Sequence, residues 1–593
     1  MSWILWLGTL TVAVQAASLD FICSKSYAQA ALPTENLPPG IKIDSSSLSA
    51  ELFTNQTLSS DWFPTSTVDY CNITFAYTHD GIANDKVHVT YWVPAPDEFK
   101  NRYLSTGGGG FAINRGTRYA PSGIIAGAVS GQTDGGFGSF ATNFNQVFLL
   151  ANGTVNWQAV HMHGYQAHHE LALIGKQFAR NLYNVPDDEK IYSYYQGCSE
   201  GGREGWSQVQ RYADQFDGVV VGAPAFHYSQ QQVNLLFANV IEQTINYFPP
   251  TCELDKIMNL TIEACDALDG KTDGVVSRTD LCKLHFDIDD VIGESYSCDA
   301  VASNGGLRNH QVTSAATPAQ SGKVTAQAAK LVKTYLDGPH DSDGRRIYLT
   351  SQFGSDFTNA YPQYNNDTES WEMALVSLGS EWVARFLNLQ DTTMLSNFDN
   401  VTYDDLRDWI TLGLQKYYDT LQTNWPDLTP FQSAGGKILH LHGESDPGIP
   451  AGSSVYYYEA VRKLMYPSLG YNESVSKLDD FYRLFLIPGG AHCSPNPNQP
   501  GGGWPQDTLQ TVIDWVENGE APQKLNNTGG IEEVCRWPLR PLWSKNGTAF
   551  ECTYDQKSLD TWMYEFDAFK VPIFLVAVGV LNNTLTLSSC EDP

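Results

Sequence analysis

Residues 190–216 read KIYSYYQGCSEGGREGWSQVQRYADQF, which joins a strand-like run to a helix-like run through a G-x-S-x-G pattern. The run Ile191–Gln196 is apolar and rich in tyrosine, which favours a β-strand. After Gly201 the apolar side chains recur at spacings of three and four, which indicates a helix. A strand, this pattern and a helix are the context of a nucleophile elbow, in which the central Ser199 stands on a tight turn. The alternative is a surface Gly-Ser turn that leads into a helix.

The composition indicates a large, acidic, globular protein. The chain has 593 residues, of which 42% are hydrophobic and 17% are charged, so it can bury a sizeable core. Its net charge of −30 argues against a nucleic-acid partner and against binding to an anionic membrane surface. The sequence does not indicate an oligomeric state.

Three features predict a secreted, extracellular protein. Residues 1–17 have an apolar core followed by small residues, as in a signal peptide, although a signal anchor is the alternative. Ten Asn-x-Ser/Thr sequons predict a glycoprotein. Eleven cysteines fit an oxidising compartment, with one cysteine left over.

Strand-like segments recur on both sides of the elbow and predict an α/β fold; they are residues 86–93, 102–106, 217–224, 437–443 and 481–488. From about Phe226 to Thr411 the sequence has helical stretches and polar loops instead of strand-like segments. We interpret this region as an inserted domain, and an independent second domain is the alternative. The predicted organisation is a signal peptide, a catalytic domain in two parts, the insertion and a C-terminal extension: residues 1–17, 18–225 with 412–571, 226–411 and 572–593.

A serine nucleophile needs a general base and a carboxylate that orients the base. Asp446 and His492 each follow a predicted strand, and with Ser199 they keep the order Ser, Asp, His that is typical of α/β-hydrolases. The open ends of such strands are also where α/β sheets hold their ligands. The rival groups are two histidines within a strand and a neighbouring glutamate: His440, His442 and Glu444.

Four consecutive glycines, residues 107–110, follow a predicted strand and precede the elbow. Glycine lets backbone N–H groups approach a ligand closely, so this loop is predicted to form an oxyanion hole through Gly108 and Gly109. The N–H of Glu200, beside the nucleophile, is the other predicted donor. A flexible turn explains the four glycines as the alternative.

Two clusters of metal-ligand residue types occur in the chain. The predicted helix 155–183 carries four histidines, but their spacing does not place three imidazoles on one face, so no metal is assigned to them. The segment 266–275 holds Asp266, Asp269 and Asp273, and oxygen ligands at this density suit Ca²⁺. The spacing is not that of an EF-hand, and a solvated acidic turn is the alternative.

Two cysteines flank the proposed catalytic groups. Cys198 precedes the serine and Cys493 follows the histidine, so a disulfide would tether nucleophile to base; two buried thiols are the alternative. Ten cysteines remain when Cys590 is set aside. Their proximity along the chain and the catalytic geometry predict five pairs: Cys23–Cys71, Cys198–Cys493, Cys252–Cys298, Cys265–Cys282 and Cys535–Cys552.

These features together resemble the fungal tannase and feruloyl esterase family, over residues 23–571. The catalytic serine and histidine of that family each stand next to a cysteine, as in Cys198-Ser199 and His492-Cys493. Three segments are most similar to the tannase branch: GCSEGGREG, ACDALDGKTDGVVSRTDLC and FQSAGGKILHLHGESDP. The extension 572–593, with Cys590, departs from the family pattern and has no functional interpretation.

The resemblance implies an α/β-hydrolase fold with a large inserted lid domain. It implies a secreted serine esterase that acts on phenolic esters and hydrolyses galloyl esters and depsides. It also implies Ca²⁺ bound by three carboxylates and two backbone oxygens: Asp266, Asp269, Asp273, Lys271 and Val275. A feruloyl or chlorogenate esterase is the close alternative. A non-catalytic binding protein with a hydrolase fold and a serine carboxypeptidase are alternatives of other classes.

Overall fold

The computed structural model describes residues 18–570, except residues 302–305, 309–310, 314–315, 531–532 and 545–548. The predicted signal peptide, the C-terminal extension with Cys590, and the sequons at Asn546 and Asn582 lie outside the described residues. Within the described ranges, no helix combines the length and the apolar character that crossing a membrane requires.

A nine-stranded sheet forms the centre of the molecule: β1 (Ile41–Ser60), β2 (Phe63–His79), β3 (Val87–Val93), β4 (Arg102–Thr106), β5 (Ala128–Thr133), β6 (Tyr192–Cys198), β7 (Gly218–Gly222), β8 (Lys437–Gly443) and β9 (Tyr482–Ile487). The spatial order is β1-β2-β3-β5-β4-β6-β7-β8-β9. The first pairs, up to β3 with β5, are antiparallel, and all later pairs are parallel. The predicted α/β fold is confirmed. Because β6, β8 and β9 are parallel, their carboxyl ends meet at one edge of the sheet.

The sheet is covered on both faces, as the valine-rich strand β7 shows. All five of its residues are buried. Val219 and Val221 pack into one hydrophobic cluster and Val220 into another, because successive side chains point to opposite faces. The helices flanking the sheet are Ala120–Ile125, Trp157–His161 continued by a π-helical turn into Ala167–Tyr183, Glu200–Arg211, Gly452–Met465 and Thr508–Asn518. Shorter helices are Leu19–Ile22, Lys25–Ala30, Phe144–Val147, Thr429–Ser433, Tyr471–Leu478 and Gln556–Thr561.

Between β7 and β8 the chain leaves the sheet over residues 223–436. Besides Thr429–Ser433, the helices of this insertion include Tyr228–Asn234, Phe237–Ile245, Thr251–Cys265, Thr279–His285, Ala326–Asp337, Ser377–Glu381 and Tyr403–Tyr417. Its strands form short hairpins such as Ser295–Cys298 with Gln320–Lys323. The helix Tyr403–Tyr417 continues through the predicted boundary at residue 411, so that boundary lies inside an element. β7 and β8 are nevertheless neighbours, so the whole insertion leaves and returns at adjacent strands.

Candidate active site

Ser199 stands at the turn between β6 and the helix Glu200–Arg211, in a backbone conformation that few non-glycine residues adopt. Its φ is +64° and its ψ is −124°. The flanking glycines leave no room for side chains: a Cβ at Gly197 would lie 2.7 Å from the oxygen of Gly201, and a Cβ at Gly201 would lie 2.8 Å from the oxygen of Gly108. The predicted strand, elbow and helix are therefore all present. Such strain is retained where the surrounding structure enforces it, as at nucleophile elbows.

Asp446 lies in the turn after β8 and orients His492. Nδ1 of His492 is 2.6 Å from Oδ2 of Asp446, while Oδ1 of Asp446 accepts hydrogen bonds from the N–H groups of Gly448 (2.8 Å) and Ile449 (2.9 Å). Burial opposes ionisation of Asp446, but the charge of His492 and hydrogen bonds from His442 and His492 outweigh it and hold the pKa well below its usual value. Asp446 is thus a buried, ionised acceptor on one side of the imidazole.

Ser199 and His492 line the same cavity, which has a volume of about 110 Å³ and is lined on its other side by residues of the insertion. The disulfide Cys198–Cys493 joins the residue before one to the residue after the other, with their Cα atoms 6.0 Å apart. The structure therefore brings the three predicted triad residues into one site. All five predicted disulfides are present.

The rival groups have other partners. Nδ1 and Nε2 of His442 contact Oγ of Ser454 and the carbonyl of Ile449, and His440 lies between Tyr482 and Ser454 in the core. Both oxygens of Glu444 accept hydrogen bonds from Arg540, at 2.8 and 2.7 Å, and Oγ1 of Thr279 donates to the same carboxylate. The preference for His492 and Asp446 over these rivals agrees with this geometry. His442 keeps a smaller role, because its Nε2 lies 3.3 Å from Oδ2 of Asp446.

The glycine loop packs against the elbow, but it does not present the predicted donors. The N–H of Gly108 donates to Oε2 of Glu204 at 2.7 Å, and the N–H of Gly109 donates to the carbonyl of Ala112 at 2.9 Å. Both groups are therefore engaged, and the assignment of the oxyanion hole to Gly108 and Gly109 is corrected. Gly110, which has a φ of +65°, lines the cavity with Ser199 and Glu200. Its N–H makes no hydrogen bond within the described part of the chain.

A buried charge network, which the sequence interpretation missed, lies behind the nucleophile. Nε and Nη2 of Arg203 donate to Oε1 of Glu200 at 2.7 and 2.5 Å, and Nε2 of His163 is 2.9 Å from the same oxygen. Burial alone would raise the pKa of Glu200, but the charges of Arg203 and His163 outweigh it and lower this pKa to about 2. One helical turn later, Oε2 of Glu204 lies 3.0 Å from Nε2 of His168.

This network includes a group with the spacing of a metal site. His163, Glu200 and Glu204 each bring one ligand atom within 4.8 Å of the others, and they form the one such histidine and carboxylate group among the residues that the structure describes. The guanidinium of Arg203 already supplies Glu200 with a positive counter-charge. The signal in the sequence was the spacing of four between the two glutamates, which puts both on one face of the helix.

The acidic loop of the insertion is closed by Cys265–Cys282. Both oxygens of Asp266 accept backbone N–H groups from residues 273 and 274, at 2.9 Å each. By contrast, Oδ2 of Asp269 and both carboxylate oxygens of Asp273 are buried without a hydrogen-bond partner in the described part of the chain, although Nζ of Lys271 lies 3.1 Å from Asp273. Burial, then the charges of Asp273 and Asp266, raise the pKa of Asp269 to about 6. The three carboxylates do not meet the 4.8 Å spacing described above.

Comparison with known proteins places this site in a family. The family model "Tannase and feruloyl esterase" matches residues 71–558. A tannase of Aspergillus oryzae is 46% identical over 96% of this chain and 98% of its own length. The structure of a tannin acyl hydrolase from Aspergillus niger covers 94% of this chain and all of its own, with 50% identity and a TM-score of 0.90. A feruloyl esterase B from Aspergillus oryzae covers 89% of this chain and all of its own, with 25% identity and a TM-score of 0.64.

Proposed function

Because the chain belongs to the tannase and feruloyl esterase family of carboxylic ester hydrolases, we propose that it hydrolyses galloyl ester and depside bonds and releases gallic acid. The observation that carries this proposal is that Ser199 and His492 line one cavity, with the buried Asp446 hydrogen-bonded to His492. The two 46% and 50% identical proteins, both named for tannin hydrolysis, support the galloyl substrate.

The role of each residue follows from its position. Since Asp446 holds Nδ1 of His492, Nε2 is left to take the proton of Ser199 while Oγ attacks the ester carbonyl. The backbone N–H groups of Glu200 and Gly110 stabilise the negative oxygen that forms. The imidazolium then protonates the leaving alcohol, and the same imidazole takes a proton from the water that releases the acid.

Two glutamines of the insertion line the cavity. Gln231 and Gln232, on the helix Tyr228–Asn234, are buried there. The Oε1 atom of each is buried without a hydrogen-bond partner among the described residues. We propose that these amide groups turn toward a bound ring and accept hydrogen bonds from its phenolic hydroxyl groups. A galloyl ring has three such donors, whereas a feruloyl ring has one hydroxyl group and a methoxy group that cannot donate. A site built to accept hydrogen bonds disfavours an analogue with fewer donors, so this lining favours the galloyl ring.

The test compares kcat/KM on methyl gallate and on methyl ferulate. Wild type should prefer methyl gallate, Gln232→Leu should reduce that preference at least about tenfold, and Ser199→Ala should lose more than about a hundredfold in kcat on both substrates. A wild-type preference for methyl ferulate would establish the feruloyl alternative. If the Ser199→Ala variant kept its activity on both substrates, the serine mechanism would be refuted.

We propose Ca²⁺ as the cofactor, held by the loop of Asp266, Asp269 and Asp273 with backbone oxygens of Lys271 and Val275. Among the described residues, two of these carboxylates have buried oxygens with no hydrogen-bond partner, and hard oxygen donors suit this ion. Bound Ca²⁺ would neutralise the crowded carboxylates and fix the loop. The ion would have no part in the catalytic steps given above.

We propose that the protein is secreted and glycosylated. The five disulfides support an oxidising compartment. Mass spectrometry of the protein from culture medium would test the cleavage after residues 16–17 and the occupancy of the sequons.

A further inference from the structure

Two arginines lie beside the active site. Arg115 and Arg118 belong to the segment between the glycine loop and the helix Ala120–Ile125, and neither forms an ion pair with any residue that the structure describes. Nη2 of Arg118 donates to the carbonyl of Cys493 at 2.8 Å, but its buried Nε has no hydrogen-bond partner among those residues. In a chain with a net charge of −30, two such guanidinium groups without an acidic partner in the described structure are a specific local feature.

The arginines face the reacting groups. They line a small cavity together with Ser199, His492 and the disulfide Cys198–Cys493. Arg115 also packs on the glycine loop, since a Cβ at Gly109 would lie 2.9 Å from its Nε. Partial burial of the guanidinium and repulsion from Arg118 lower the pKa of Arg115, which is still protonated at any ordinary pH. An anion between the two groups would relieve this repulsion.

The same arginines also line a wide groove that runs away from the site. The groove has a volume of about 830 Å³ and a polar wall that includes Ser60, Asn114, Thr117 and Gln506. Asp61 lines it as well, without pairing with either arginine. Arg115 and Arg118 therefore line both the small cavity at Ser199 and His492 and the groove.

The acyl group and the alcohol part of an ester extend from the carbonyl carbon in different directions. Two cavities meet at Ser199 and His492, so each part can occupy a cavity of its own. The one lined by Gln231 and Gln232 suits a single phenolic acyl ring. The second one shares Arg115 and Arg118 with the polar groove, which has room for a larger and more polar leaving group. This division rests on the esterase function proposed above.

We propose that Arg115 and Arg118 bind a carboxylate carried by the leaving alcohol or phenol. The substrates favoured are depsides and esters whose leaving group is itself a carboxylic acid, such as the phenolic ester between two trihydroxybenzoic acids. Arginine binds a carboxylate through parallel N–H donors, which sets the orientation of the leaving group as well as its affinity. Water cleaves the ester bond, and the products are the acyl acid and the hydroxy acid that was the leaving group.

The experiment uses a matched pair of substrates: the galloyl depside of gallic acid with a free carboxylate, and its methyl ester. For wild type we expect kcat/KM to be about tenfold higher on the free acid, mainly through KM, and this ratio should fall as salt is added. The ratio should fall close to one in Arg115→Gln and be partly retained in Arg118→Lys. Lys330→Gln, which removes the same charge from an exposed helix position, should keep the wild-type ratio.

Each possible result of this experiment leads to a different conclusion. A wild-type ratio near one, or a ratio unchanged in Arg115→Gln, would overturn the subsite. Weaker inhibition by gallate in Arg115→Gln with an unchanged ratio would mean that the arginines hold the acyl product, and the leaving-group assignment would then be wrong. Failure of wild type to hydrolyse methyl gallate, which has no second carboxylate, would instead refute the proposed function on which the subsite depends.

Discussion

Oε2 of Glu204 accepts the N–H of Gly108 at 2.7 Å, and this hydrogen bond ties the nucleophile helix to the glycine loop. The same oxygen lies near His168, and both side chains are fully buried. The position of Gly110 at the cavity therefore depends on a side chain that does not line the cavity itself. We expect Glu204 to act as a positioning residue for the proposed oxyanion hole.

Glu204→Gln should lower kcat about tenfold with little change in KM, because the amide oxygen holds the loop less firmly than a carboxylate. Affinity for a phosphonate transition-state mimic should fall in parallel with kcat. Steady-state kinetics and mimic binding check this on protein with a wild-type circular dichroism spectrum. A change in melting temperature with unaltered kcat would show that Glu204 is only structural.

Asp446→Asn should cut kcat by about 10⁴-fold and leave KM nearly unchanged, since the imidazole would lose the acceptor that sets its tautomer. Glu444→Gln is the matched control two positions away. It should retain kcat but lose about 3 kcal/mol of stability, because Arg540 is buried and would keep one fewer charge partner. Kinetics and urea unfolding of both variants separate the two effects. A larger loss of kcat in Glu444→Gln would identify it as the catalytic acid.

Replacing Cys198 and Cys493 together with alanine should lower kcat at least about tenfold and raise KM much less, because nucleophile and base would no longer be held in register. Its stability loss should stay below about 5–6 kcal/mol, the loop-entropy ceiling for a separation of 295 residues. The matched control is the double alanine variant of Cys23 and Cys71, which should melt earlier but keep kcat. An unchanged kcat in the folded first variant would show that this bond has no catalytic part.

Chelation with EDTA should lower the melting temperature, and Ca²⁺ should restore it more effectively than Mg²⁺. Asp269→Asn should reduce the response to both treatments, because it removes one of the carboxylates with an unpaired buried oxygen. Asp299→Asn, an exposed acid of the same insertion, should respond like wild type. Differential scanning calorimetry measures all three, and an EDTA-insensitive wild type would refute the cofactor.

Glu242 is fully buried in the helix Phe237–Ile245, and burial raises its pKa to about 8. The pKa of Glu242 in the folded state exceeds its pKa of about 4.3 in the unfolded state. The stability that its protonated form contributes is therefore complete below about pH 4.3 and is lost as the pH rises through about 8. Glu242→Gln keeps an acceptor for Asn239 and cannot ionise. Its melting temperature should therefore exceed that of wild type by several degrees above pH 8 and lose the advantage near pH 5; parallel pH curves would contradict this assignment.

The parts of the site that could be predicted from the sequence are those whose signal is local. Ser199 is marked by its own strand, glycines and helix, and Asp446 and His492 by the strands that precede them. The loop donors could not be predicted in this way, since Glu204 occupies the N–H of Gly108 across 96 positions of chain. The domain boundary at residue 411 remains a prediction, although it falls within the helix Tyr403–Tyr417. Periodicity indicates where elements lie but does not show to which domain an element belongs.

The insertion is attached to the sheet by neighbouring strands, with Leu441 of β8 paired to Gly222 at the end of β7. Because these strands are parallel, the chain leaves β7 after Gly222 at one end of the strands and enters β8 at Lys437, which pairs with Gly218 at the other end. The two junctions are therefore separated by about the length of the strand, roughly 13 Å. Residues 223–436 can be exchanged between relatives as one cassette if the replacement spans this separation. Gln231 and Gln232 belong to the cassette, while the nucleophile, acid and base belong to the framework. Exchanging the cassette between a galloyl and a feruloyl esterase should therefore transfer the selectivity for the acyl group, and the framework should retain its catalytic residues.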